Sequence, residues 1–316
     1  MWNKVERLLK ERNISIYKLS KLTNIPQTTL RSYRLKGSEP SFKNACKISE
    51  ALKIDLNDLK ETKMIQLPKV QTLKPKSQPH NFFIWGATMS GKSYFSSFFP
   101  NPLILNTDGN SEQGSAPSIQ IRNIRNAQGK LEQSAIKQLD DIITALQVEN
   151  LKRPADQQFK TVVIDVIDDI CVMIEQAICL DAGVQALSDI PYGKGYAMFN
   201  TTLQQFVMDL KALPLNVIYI SRELAITDDN TGVTTYEPSL KTKYYNIVNG
   251  NCDVVIRTKK IGDGQNASYF REVKALRTMY NPVNITDHRI LQLLESCSGM
   301  FKKEDLEKLQ QKKESK

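Results

Sequence analysis

Histidine is almost missing from this sequence. His80 and His288 are the only two in 316 residues, which leaves little room for histidine-based triads or His-rich metal sites. Cysteine is scarce and unpatterned: Cys46, Cys171, Cys179, Cys252 and Cys297 are odd in number and never form a C-x-x-C pair. They read as buried free thiols, not as a disulfide framework or zinc ribbon. No apolar run reaches the roughly 18–20 residues of a bilayer span, and the opening stretch from Met1 to Asn13 is charged and helix-like rather than a leader. The expectation is a soluble, cytoplasmic chain. Core-forming material is not lacking, since hydrophobic residues are 41% and charged residues 24%, which excludes a fully disordered chain and suggests about two domains.

Positive charge is concentrated at one end. Residues 1–78 hold 17 Lys+Arg against 7 Asp+Glu, whereas the remainder holds 26 against 27. The N-terminal quarter is therefore the part suited to phosphate backbones, although a solvated basic face fits the same count. A composition break over TKMIQLPKVQTLKPKSQP, with three prolines and no helical period, predicts an extended linker. The expected division is a helical domain over 1–62, a linker over 63–79, an α/β domain over 80–300 and a charged, frayed helix or tail over 301–316.

Apolar residues from Val5 to Leu59 recur at helical spacing in short blocks near 3–12, 15–22, 26–36, 41–52 and 55–61, predicting a five-helix bundle. Ser15 is placed to cap the second helix, Pro26 falls in the first turn of the third, and Asn24 stands where the turn needs a left-handed backbone. The run ISIYKLSKLTNIPQTTLRSYRLKG, followed by PSFKNACKISEAL, resembles the Cro/lambda-repressor type of helix-turn-helix domain over about residues 3–61. That resemblance implies that the third helix enters the major groove of duplex DNA. Gln27, Thr28, Thr29, Arg31, Ser32 and Arg34 would then face the DNA, and Leu19, Leu22, Ile25, Leu30 and Ile48 would form the core. Two positions depart from the family: Ile16 stands where a phosphate-contacting Gln is common, and Asn24 replaces the usual turn Gly. A bundle serving protein contacts or dimerisation is the competing use.

Residues 81–93, NFFIWGATMSGKS, contain Gly86-x-x-x-x-Gly91-Lys92-Ser93 between a short apolar strand and a helix, the context a phosphate-binding loop requires. The glycines let successive N–H groups point inward at phosphate, Lys92 neutralises the β/γ oxygens and the Ser93 hydroxyl can ligate Mg²⁺. Ala87, Thr88, Met89 and Ser90 in the loop and Tyr94 after it complete the candidate ATP-binding set. A second strand, PLILNTDGNSE, ends in Asp108, and a third, FKTVVIDVIDD, ends in Asp165 after an apolar run. Asp165 has the Walker B pattern and would hold Mg²⁺ beside the loop, whereas Asp168 and Asp169, one turn into a helix, more simply complement its dipole. A fourth strand, LNVIYISRE, ends in Ser221, Arg222 and Glu223, where a γ-phosphate sensor would sit. Alternating strands and helices imply a mostly parallel sheet, and the later segments around DDNTG and GDG read as hairpins.

This order resembles the RecA-like ATPases over about residues 80–280, in particular the phage-encoded Sak-type single-strand annealing proteins. The resemblance rests on GATMSGKS, the NTDGN strand, VVIDVIDD, DIPYGKGY and the ISRE strand. It implies that Asp108 takes the place of the Glu that polarises the attacking water, and that Arg222 either contacts the γ-phosphate or pairs with Glu223. In DIPYGKGY, Lys194 with Tyr192 and Tyr196 suits single-stranded nucleic acid, or equally a tight turn before a helix. Lys241 and Lys243 would reach a neighbouring subunit's nucleotide or form a solvated loop. Three functions follow. The first is an ATP-hydrolysing recombination protein that forms a ring or filament on single-stranded DNA, with a single-strand-binding protein as a candidate partner. The others are an ATP-responsive transcriptional regulator and a helicase-loader-like ATPase.

Overall fold

The computed structural model describes residues 2–36, 40–56, 76–109 and 116–314. The chain divides into two compact units, residues 1–73 and 74–316. Most of the expected linker and of a helix at 55–61 lies outside the described residues, as does the end of the PLILNTDGNSE segment.

In the first unit the described helices are α1 (Trp2–Glu11), α2 (Ile16–Thr23), α3 (Gln27–Lys36) and α4 (Phe42–Leu52). Ser15 Oγ accepts from Lys18 N at 3.1 Å at the start of α2, and Asn24 ends the helix at φ 52°, a conformation Asn tolerates better than most residues. Val5, Leu9, Leu19, Ile25, Leu30 and Ile48 bury one common core. Leu22, expected in that core, is instead 55% exposed. Thr23 takes the inward position, its hydroxyl donating to Leu19 O at 2.8 Å and accepting from Ile25 N at 3.3 Å, so the turn chemistry overrides the apolar preference. Pro26 lies just before α3, its carbonyl taking the first helical bond from Leu30 N at 3.1 Å.

The second unit opens with β1 (Asn81–Gly86), α5 (Lys92–Ser97), β2 (Pro102–Asn106), β3 (Ser118–Gln120), β4 (Ile124–Arg125), β5 (Leu131–Gln133), α6 (Ala135–Val148) and β6 (Thr161–Asp165). It continues with α7 (Ile167–Ala182), α8 (Lys194–Ala212), β7 (Asn216–Thr227), β8 (Thr234–Pro238), α9 (Thr242–Asn249), β9 (Val254–Ile261), β10 (Ser268–Leu276), α10 (His288–Glu295) and α11 (Lys303–Glu314). The main sheet runs β10-β9-β1-β7-β6-β2-β3, with β8 hydrogen-bonded to β7 outside that path. Only β10 and β8 pair antiparallel in it, through the two hairpins expected from the sequence.

Alternation along the buried strands sends Phe83, Trp85, Val162 and Ile164 to a face covered by α6, α7, α8 and α9. Phe82, Ile84, Val163 and Ile220 go to the other face, covered by α5 and α10. The result is the three-layer α/β arrangement of a P-loop fold. Segment 167–189 is long and apolar enough to cross a membrane by length and composition, contrary to the expectation of no such run. Ile167, Ile170, Ile174 and Ile178 of this segment are buried in the sheet's core. The expected charged tail is also partly a packed helix, since Leu309 of α11 is buried in the core on the α5 side.

Candidate functional site

Between β1 and α5, Ala87, Thr88 and Met89 are exposed while Ser90 and Lys92 are buried. The loop presses against β9. A Cβ at Gly86 would collide with Thr258 O and Oγ1 and stand 2.8 Å from Ser90 Oγ, and the Ser90 and Thr258 hydroxyls are hydrogen-bonded at 2.6 Å. Glycine at 86 is thus required by close approach. Lys92 Nζ donates to the carbonyl oxygens of Gly86 and Ala87 at 2.7 and 2.8 Å, holding its head inside the loop. Burial pushes the Lys92 ammonium's pKa down and Asp165 and Glu223 pull it back up, which places it in a site built around carboxylates.

Asp165 ends β6, close enough to the Ser93 hydroxyl to interact with it. Its pKa is raised by burial first and by the Asp108 charge, against the lowering effects of Ser93, Lys92 and Arg222. β7 lies between β1 and β6, with Asp165 of β6 in register with its Ile220 and Gly86 of β1 in register with its Arg222, so the Asp and the loop stand at nearly the same level on either side of β7. Asp108 does not end a strand, because β2 stops at Asn106; it is exposed in the following bend, within electrostatic reach of Asp165 and Arg222.

Arg222 does not pair with Glu223, one of the partners weighed from sequence. Its guanidinium forks onto Asp169 at 2.6 and 2.8 Å, lowering the pKa of that carboxyl, and Asp169 also accepts from Thr107 Oγ1 at 2.8 Å. Glu223 pairs instead with Arg257 at 2.7 Å, both side chains nearly buried, and Arg257 lies over Trp85 and Tyr236. Asp168 accepts from Ser221 Oγ at 3.1 Å, Ser239 Oγ at 2.5 Å and Arg222 N at 3.2 Å, stapling both feet of the β7–β8 hairpin to the start of α7. Asp168 and Asp169 therefore make specific bonds beyond any dipole effect. Asp168→Ala is expected to speed amide exchange in the hairpin, residues 224–237, by about tenfold while leaving β1 protected; unchanged hairpin exchange would refute the staple.

A cavity of about 630 Å³, within the usual range for a small-molecule site, is lined by loop residues Met89 to Tyr94 and by Tyr269 and Arg271 of β10. Asn106 Nδ2, buried and without a hydrogen-bond partner among the described residues, lies at the end of β2, in register with Asp165 on β6. The loop cradle with Lys92 and Ser93, and the Asp165 carboxylate close to Ser93, fits a phosphate chain and a divalent cation. Sequence reasoning gave no role to Asn106 and Thr107, although both lie in the NTDGN segment, and missed Thr258, Tyr269 and Arg271, which belong to no contiguous motif.

Other candidates lie apart from this cavity. Lys194 is exposed at the first turn of α8, its ammonium 5.9 Å from the centre of the Tyr192 ring, after Gly193 at φ 67°. It occupies a tight turn before a helix and also pairs a cation with an exposed ring. Lys241 sits over Tyr244 at 5.6 Å, beside Lys243, which is also exposed. In the first unit, Thr28, Arg31 and Arg34 of α3 are exposed, while Gln27, Thr29 and Ser32 are half-buried. Arg34 is tied to Glu6 of α1 at 2.9 Å, and Ser32 Oγ donates to Thr29 O at 2.8 Å.

The family model of the AAA domain matches residues 78–280, and a helix-turn-helix model matches residues 5–59. No curated protein matches the chain. Among solved structures, a KaiC-like protein from the hyperthermophilic archaeon Pyrococcus horikoshii is similar at 11% identity and a TM-score of 0.35, covering 63% of this chain and 80% of that one. The helix-turn-helix region precedes the nucleotide-binding domain, as the sequence order requires. With most of its length matched by the AAA domain model and with its loop, Lys92 and Ser93 lining one cavity, the chain belongs to the AAA domain family.

Proposed function

We propose that the protein binds and hydrolyses ATP and uses the nucleotide to bind single-stranded DNA and promote annealing or strand pairing. The observation that carries the ATPase half is the Lys92 ammonium, held on the Gly86 and Ala87 carbonyls, with the Ser93 hydroxyl and the Asp165 carboxylate close by, which groups a hydroxyl, a carboxylate and a cation at the phosphate loop. Mg²⁺ held there would supply positive charge to the β and γ oxygens. Ser93 and Asp165 would hold the ion, the loop amides and Lys92 would fix the phosphates, and Asp108, exposed in the bend after β2, would orient a water for in-line attack. Arg222, fixed by Asp169, would offer a second cation once that fork opened.

The DNA half is supported by the exposed rings of Tyr192 and Tyr196 beside Lys194, since a cation with a free aromatic face suits a splayed base regardless of sequence, and by the exposed cations Lys241 and Lys243. In this reading the chain works as a homo-oligomer and the helix-turn-helix targets it. A filter-binding comparison tests this: ATP and Mg²⁺ are expected to raise affinity for a single-stranded oligonucleotide by tenfold or more over duplex. The exposed residues Thr28 and Arg31 on α3 favour a second reading, an ATP-responsive regulator. Sequence-specific duplex binding without any single-strand preference would select it and reject the first.

A further inference from the structure

The geometry points to β10 as the nucleoside wall of the site: Tyr269 stacks the base, and Arg271 provides a second cation for the phosphate chain. This rests on the reading of the loop as a triphosphate cradle. Tyr269 and Arg271 are two residues apart on an edge strand and so share a face. In the β9 register Arg271 stands opposite Thr258, the residue against which Gly86 and Ser90 pack, so that face is the one turned to the phosphate loop.

The Tyr269 ring rests against the loop itself. A Cβ added at Gly91 would meet Tyr269 Cδ1 at 3.3 Å, and Gly91 also holds φ at +87°, so a side chain there is disfavoured by both space and backbone. Half of Tyr269 remains exposed at the cavity, as do most of Tyr94 and Met89. A flat aromatic guest would cover these apolar surfaces, which a bare phosphate chain leaves in water. Arg271 is held with its guanidinium 4.5 Å from the centre of the buried Phe95 ring of α5, which anchors the cation at the cavity wall. A triphosphate gains from Arg271 whether or not it carries a base, whereas only a nucleoside gains from Tyr269.

Titration calorimetry of the full chain with Mg²⁺, using ATP and inorganic tripolyphosphate as separate probes, distinguishes these roles. Wild type is expected to prefer ATP by at least about tenfold. Tyr269→Ala should lose most of that preference with tripolyphosphate binding unchanged. Tyr269→Leu, which keeps apolar packing against Gly91, should lose it equally, and Tyr269→Phe should retain it. Arg271→Gln should weaken both probes by similar factors. Equal binding of both probes to wild type, or full ATP preference in the Ala and Leu variants, would overturn the assignment. If Lys92→Ala bound both probes as wild type does, the cradle reading itself would fall.

Discussion

Lys92→Ala is expected to weaken ATP binding more than about a hundredfold by calorimetry, leaving no measurable turnover, while the helical unit at residues 1–73 keeps its circular dichroism. A charge-assisted hydrogen bond contributes about 1.5–3 kcal/mol, or roughly 10- to 150-fold in affinity, and Lys92 does more than make one. Its ammonium also bonds the Gly86 and Ala87 carbonyls, so the variant loses both the cation and the internal tie that shapes the loop. Unchanged affinity would remove the phosphate-loop assignment and with it the account of Ser93 and Asp165.

Replacing Asp108 by Asn should separate binding from chemistry. ATP affinity is expected to stay within about twofold, and turnover to fall on the order of a hundred- to a thousandfold, the usual contribution of a positioned general base. A second effect has a definite sign. The Asp108 charge raises the pKa of Asp165, so its removal favours the ionised form of Asp165, and Mg²⁺-dependent ATP binding should persist to lower pH than in wild type. Full turnover in Asp108→Asn would place the base elsewhere, even if the pH shift appeared.

The parts legible from sequence are those carried by neighbouring residues. The GATMSGKS loop, the Asp at the end of VVID, the Ser15 cap and the Asn24 turn each rest on a few contiguous positions whose local conformation is nearly dictated. Leu22 was misplaced because the last turn of α2 obeys the needs of the following turn, where Thr23 serves as a hydrogen-bonding group. Arg222 could not be paired correctly because Asp169 lies 53 positions earlier and reaches it only once β7 enters the sheet beside β6. Periodicity predicts a parallel sheet but carries no information on strand order, so the insertion of β7 between β1 and β6 was invisible. Tyr269 and Arg271 belong to a hairpin that alternation predicts, yet nothing local says which of its faces meets the loop.

The packing of Thr258 against Gly86 and Ser90 has a temporal consequence. The hydroxyl that backs Ser90 is encoded 168 residues after it. At about 5–20 residues per second, a ribosome needs roughly ten to thirty seconds to travel that distance after the glycine-rich segment has been made. A nascent chain therefore carries an intact signature but an unsupported one, and competence for nucleotide arrives only when β9 has been synthesised and inserted.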